Sequence, residues 1–156
     1  MYKDNRIIIL RSDKDTHFTG SLSENAGELE ALTITATQFT NEFVIEQISI
    51  ISNQNLEWDL FIWSSSIGPD TSDYDDDTYI EYQNFPKTTG KQIGGAGGFY
   101  YSASDIKIPY RDDDIDERAN GSVHCTLVNR SSTSKNAGAT GEVVVVMYIR
   151  PIYEGR

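Results

Sequence analysis

Residues 121–153 read GSVHCTLVNRSSTSKNAGATGEVVVVMYIRPIY, and the fold class follows from them. In SVHCTLV (122–128), Val123, Cys125 and Leu127 fall on one side of an extended chain and Ser122, His124 and Thr126 on the other. A period of two is the signature of a strand with one buried face. The run EVVVVMYIRPIY (142–153) is apolar on both sides. A strand of that kind belongs inside a sheet or at a subunit contact, because an exposed apolar edge invites aggregation. The intervening NRSSTSKNAGATG (129–141) has the small polar residues and glycines of a flexible connection.

Working outward, further strand-like runs recur between turn signals. They are Arg6–Leu10, His17–Leu22, Ala31–Phe39, Phe43–Ser52, Leu56–Ser64, Thr78–Gln83, Gln92–Ser102 and Asp105–Tyr110. The segment SENAGELEAL (23–32) has the composition of a single helical turn. No amphipathic helix of ten residues is visible. About nine or ten strands without helical crossovers predict an all-β, antiparallel sandwich over residues 1–156 as one domain. In it Trp58, Leu60, Ile62, Val123, Cys125, Leu127, Val143, Val145 and Met147 form the core. Residues 1–25 either begin the sandwich or form an N-terminal arm.

Composition narrows the function. The 156 residues hold 24 acidic and 13 basic side chains, a net charge of −11, and no two basic residues are adjacent. Such a field repels nucleic acid and anionic membranes, so neither is an expected partner. The lone Cys125 rules out an internal disulfide and reads as a core thiol. The N-terminus offers four consecutive apolar residues, against about 7–15 for a signal peptide and about 20 for a membrane span. Synthesis as a soluble cytoplasmic chain is the expectation, and the Asn120 and Asn129 sequons are read as chance matches.

Candidate chemistry is sparse. Asp70, Asp73, Asp75, Asp76 and Asp77, and separately Asp112, Asp113, Asp114, Asp116 and Glu117, are dense enough to suggest calcium. The glycine that an EF-hand turn needs is missing, and both runs read as solvated loops. Gly94, Gly95, Gly97 and Gly98 resemble a phosphate loop only superficially, since no helix follows. Of the two histidines, His124 points away from Cys125, and no nucleophile elbow or zinc motif accompanies His17. Paired carboxylates are abundant but sit in polar loops. No enzyme activity, cofactor or metal is expected. Tyr74, Tyr79, Tyr82, Phe99, Tyr100 and Tyr101 read first as interface or half-buried strand residues, with a sugar platform as the lesser alternative.

From Leu56 onward, LEWDLFIWSSS, DTSDYDDDTYIEY, GFYYSASDIKIPYRDDD and the closing strand pair together resemble the small β-sandwich decoration or cement proteins of tailed-phage virions. The resemblance covers about two thirds of the chain and lies in texture and strand order rather than in a motif. It implies a jelly-roll-like fold, assembly as a homotrimer, and binding to the major capsid protein on the outer capsid surface. The contact residues expected on this reading are Ile7, Ile8, Ile9, Trp63, Tyr100, Tyr101, Val144, Val146 and Tyr148. The N-terminal Ile7–Leu10 segment is placed to add a strand to a partner's edge. The alternative function is a β-sandwich module recognising a carbohydrate or receptor, carried on a virion fibre or spike.

Overall fold

The computed structural model describes residues 7–34, 42–67, 78–93, 98–113 and 121–152. Among the described residues there are nine strands: β1 (Ile8–Arg11), β2 (Gly27–Thr33), β3 (Glu42–Ser52), β4 (Trp58–Trp63), β5 (Tyr79–Phe85), β6 (Lys91–Gln92), β7 (Phe99–Arg111), β8 (Ser122–Asn129) and β9 (Val143–Pro151). They form one long antiparallel ribbon rolled on itself. β1 pairs with β9, β2 with β8, β3 with β7, and β4 with β5. Rolling sends alternate pairs to opposite layers, where β3–β9 and β4–β8 pairing closes each sheet. The result is a five-stranded sheet, β1-β9-β3-β7-β6, facing a four-stranded sheet, β2-β8-β4-β5. This is the strand order of a jelly roll.

Period-two alternation builds the core. Trp58, Leu60 and Ile62 of β4 and Val123, Cys125 and Leu127 of β8 face Val143, Val145 and Met147 of β9, all fully or almost fully buried. Each such side chain contributes about 1.5–3 kcal/mol on leaving water. Phe43 and Tyr110 stack at 4.9 Å beside them, joining β3 to β7. As its apolar character on both faces predicts, β9 is interior, lying between β1 and β3. Its second apolar face, Val144, Val146 and Tyr148, turns away from the opposing sheet.

Three local readings change. The GELEAL segment is extended as β2, because Glu28 and Glu30 accept the Gly20 and Phe18 backbone N–H groups at 3.0 and 3.4 Å instead of lying on a helix. His17–Leu22 is a bent segment rather than a strand, with one isolated β-bridge from Leu22 to Lys135. The expected runs Gln92–Ser102 and Asp105–Tyr110 are joined from Phe99 onward in one strand, β7, bent where the register shifts opposite Glu46. Asp105 and Lys107 take φ of 57° and 44° at this bend, which lets the strand absorb extra residues. Glu46 fills the irregularity, accepting hydrogen bonds from Lys107 Nζ and Arg150 Nε at 2.8 Å each, and these hold its carboxyl below the ordinary range.

The connection between β8 and β9 is not a soft loop. Leu22 and Lys135 exchange backbone hydrogen bonds at 3.1 and 2.8 Å, and Gly138 N donates to Thr19 O. Gln54 donates to Ser134 O and accepts from Asn136 N. Asn129, completely buried, donates to Leu22 O and Thr133 O, so its sequon is inaccessible. The buried Lys135 ammonium donates to Gly20 O at 2.6 Å and Asn136 O at 3.1 Å. Desolvation pushes it below its ordinary value of 10.5, with Glu28 opposing the shift. The folded chain therefore releases this proton more readily than the unfolded chain. Stability should rise with pH across the interval that ends at about 10.5. Melting temperatures of the wild type and Lys135→Met, compared from about pH 8 upward, should diverge in favour of the wild type as the alkaline interval is crossed. Parallel curves would show that the ammonium carries no such penalty.

Candidate interaction surfaces

Each sheet leaves one face turned outward. On the five-stranded sheet, the pairing registers set Ile9, Tyr148 and Gln47 in one row, and Arg11, Val146, Ser49 and Ser102 in the next. Val144, Ile51, Tyr100 and Lys91 make a third row. The half toward β7 is polar and internally bonded. Gln47 Nε2 donates to Ser49 and Ser102, and the Ser49 and Tyr100 hydroxyls meet at 3.1 Å. The half toward β1 is apolar, ending in Ile9, 59% exposed, with Ile7 beside it at 50%. β1 pairs with β9 on one side, and no strand lies on its other side among the described residues.

Of the expected contact residues, this face brings together Ile9, Tyr100, Val144, Val146 and Tyr148, with Ile7 at its margin. Ile8 points inward and packs against the core. Val146, although on this face, is only 5% exposed, and two further residues are corrected. Tyr101 is wholly buried, its hydroxyl accepting from Leu56 N at 3.0 Å and facing Asn55 Oδ1 at 2.6 Å, so it is not a surface contact. Trp63 belongs to the other sheet and is only 3% exposed.

The outer face of the four-stranded sheet is aromatic. Successive cross-strand pairs of β4 and β5 are Trp63 with Tyr79, Phe61 with Tyr82, and Asp59 with Asn84. Phe61 lies near-parallel to Trp63 (5.9 Å, 14°) and to Tyr82 (5.6 Å, 25°), while Trp63 meets Tyr79 edge-on at 5.9 Å. The Trp63 indole N–H is fixed by Thr126 Oγ1 at 2.9 Å. Arg130 reaches over Phe61 at 5.8 Å and donates to Asp59 Oδ2 at 2.7 Å. Asn84 Nδ2 donates to Asp59 Oδ1, also at 2.7 Å. Tyr82 and Tyr79, 49% and 41% exposed, finish the patch at the β5 edge. Burial pushes the Tyr79 phenol up, and Glu81 reinforces the shift.

The six aromatic residues grouped from sequence are thus divided. Tyr79 and Tyr82 stand on this sheet, Phe99, Tyr100 and Tyr101 belong to β7 of the other, and Tyr74 lies outside the described residues. Phe61, Arg130 and Asn84 complete the patch. The alternation of LEWDLFIW and TYIEYQ places each ring on a face, but only the β4–β5 pairing joins the two sets.

The remaining candidate chemistry resolves into structural roles. Asp112, buried, accepts Ser122 N at 2.8 Å and the His124 ring at 3.1 Å. His17 Nδ1 accepts the Asp13 N–H at 2.8 Å and closes a turn. Cys125 is on the core side of β8, opposite His124, and burial drives its thiol far above the ordinary range. Among the described residues no three acidic, histidine or cysteine side chains gather as metal ligands. Asp70, Asp73, Asp75–Asp77, Asp114, Asp116 and Glu117, with Gly94, Gly95 and Gly97, lie outside the described residues. No helix among the described residues is long and apolar enough to cross a membrane.

No protein-family model and no curated protein sequence matches the chain. Among solved structures it is similar to the insecticidal delta-endotoxin Cry8Ea1 of Bacillus thuringiensis, at 14% identity and a TM-score of 0.38, over 85% of this chain and 19% of that one. It is also similar to a chain of the T13 infectious bursal disease virus particle, at 10% identity and a TM-score of 0.35, over 98% of this chain and 37% of that one. A chain of a marine algae virus of the order Picornavirales gives 11% identity and a TM-score of 0.30, over 96% and 69%. The chain spans about a fifth of the endotoxin and under two fifths of the bursal disease virus chain. Likenesses this distant assign neither a family nor an activity.

Proposed function

We propose that this chain is a non-enzymatic structural protein of a virion. Within that class it is a decoration or cement protein of a tailed-phage head, working by assembly rather than by chemistry. The observation that carries the reading is the apolar margin at β1, where Ile7 and Ile9 stand exposed beside Tyr148 on a strand paired on one side. An edge strand presents a row of backbone N–H and C=O groups to a partner's strand, and the isoleucines add apolar contact to those hydrogen bonds. The jelly-roll order and the acidic surface are consistent with this role, as is the resemblance in the segments from Leu56 onward. On this reading three copies associate, bind neighbouring major capsid protein subunits on the outer surface of the shell, and stabilise it.

Light scattering on the purified chain should give three times the monomer mass. The protein should also co-sediment saturably with phage heads stripped of their accessory proteins. A monomer that stays in the supernatant contradicts the proposal.

A further inference from the structure

We propose that the outer face of the four-stranded sheet is a binding site for a neutral saccharide, separate from the β1 margin and independent of the virion reading. The outer face of the five-stranded sheet is polar toward β7, with Gln47, Ser49 and Ser102, and aliphatic toward β1, with Ile9 and Val144, and among the described residues it has no stack of adjacent rings. On the four-stranded sheet three consecutive cross-strand rows carry Trp63 and Tyr79, Phe61 and Tyr82, then Asp59 and Asn84. Rows on one face of a regular strand are about 6.8 Å apart, and the irregularity between Ile62 and Trp63 widens the first step along β5, so rings and polar groups still fall within the span of a small oligosaccharide. The C–H face of a sugar ring packs on aromatic carbon, as apolar surface does generally, while its hydroxyls need donors and acceptors close by.

The polar row supplies both. The Asn84 amide offers a donor and an acceptor and Arg130 further donors, both held by hydrogen bonds of 2.7 Å to Asp59, which is itself only 8% exposed. Arg130 Nη1 is further tied to Asn25 Oδ1 at 3.0 Å. Bound groups held this firmly lose little freedom when a ligand arrives. Charge selects among ligands. The Arg130 guanidinium is matched by the Asp59 carboxylate, so the face offers no surplus cation, and the net charge of −11 repels acidic glycans. A neutral, hydroxyl-rich chain is the ligand that remains. The two exposed phenols at the β5 edge, Tyr79 and Tyr82, are its stacking groups, and Phe61 and Trp63 back them.

Affinity electrophoresis of the full chain tests the site, in native gels containing dextran, galactomannan, xyloglucan or hydroxyethylcellulose, with alginate as the acidic polymer. At least one neutral polymer should retard the protein. Tyr82→Ala should weaken that retardation at least tenfold, and Tyr79→Ala should weaken it as well. Tyr82→Phe should retain it, because the ring is kept, and Ile9→Glu should retain it, because that residue lies on the other sheet. Both tyrosines are surface groups, so an unchanged melting temperature separates loss of binding from loss of fold. Retardation by no neutral polymer, by alginate alone, or equally for Tyr82→Ala and wild type overturns the proposal. Loss of self-association in Tyr82→Ala without any polysaccharide binding also overturns it, assigning the face to a second copy of the chain.

Discussion

Gly141→Ala should destabilise the fold by about 3 kcal/mol or more, lowering the melting temperature by about 6–12 °C. Gly141 ends the 3-10 turn that feeds β9, and a Cβ built there falls inside the carbonyl group of Asn136, with the Asn136 Cα only 3.0 Å away. The obstacle is backbone, so no rotamer change relieves it. Nor can Asn136 retreat freely. Its N–H is held by Gln54 Oε1 at 2.7 Å, and its carbonyl accepts the Lys135 ammonium. Gly138, three residues earlier, is the internal comparison. It has φ of +66° but open space around it. Gly138→Ala should therefore cost only the left-handed backbone penalty, about 1 kcal/mol. Equal losses from the two substitutions would mean that the packing of Gly141 under Asn136 is not what holds the loop.

Trp58→Ala is the second large effect, at about 3–5 kcal/mol, because it opens a cavity between the two sheets. Trp58 is completely buried, is the largest of the core side chains, and sits on β4 opposite Phe85 and Asn129. Its indole Nε1 is buried and makes no well-formed hydrogen bond among the described residues, with the Tyr101 hydroxyl as its nearest polar neighbour. Replacing it by Phe removes this unsatisfied donor while keeping most of the ring volume, which offsets part of the packing loss. Chemical denaturation should accordingly rank Trp58→Phe well above Trp58→Ala, within about 1–2 kcal/mol of the wild type. A Phe variant as unstable as the Ala variant would show that the indole N–H contributes a real interaction.

The layers of this fold were legible because alternation is a local signal. LEWDLFIWS and SVHCTLV announce which side chains face inward, EVVVVMYIR announces an interior strand, and the core residues nominated on them are all buried. What local signals cannot give is pairing. β1 meets β9 across nearly the whole chain, and nothing in RIIIL or VVVVMYIR names the other. β2 was hidden for a different reason. Glu28, Leu29 and Glu30 favour a helix in isolation, and it is the ladder with the distant β8, with the Phe18 and Gly20 N–H groups meeting the two carboxylates, that makes an extended conformation worthwhile. The same limit divided the interaction surfaces. Tyr101 and Trp63 look alike from sequence, as aromatics on half-apolar strands. One is a core residue whose hydroxyl bonds to Leu56 and Asn55, and the other lies on an outer face among its neighbours' rings. The β1 margin was more legible, because three consecutive isoleucines on a strand leave at least one facing outward.

Co-sedimentation of wild type and Ile9→Glu with stripped phage heads tests the assembly proposal most directly. Ile9 is on the outer side of the edge strand, so the glutamate should leave the monomer's melting temperature within about 2 °C. It should nonetheless place a charge in the contact and abolish both the trimer and shell binding. The account predicts saturable pelleting of the wild type and none of Ile9→Glu. Pelleting of both to the same extent, or of neither, would contradict it.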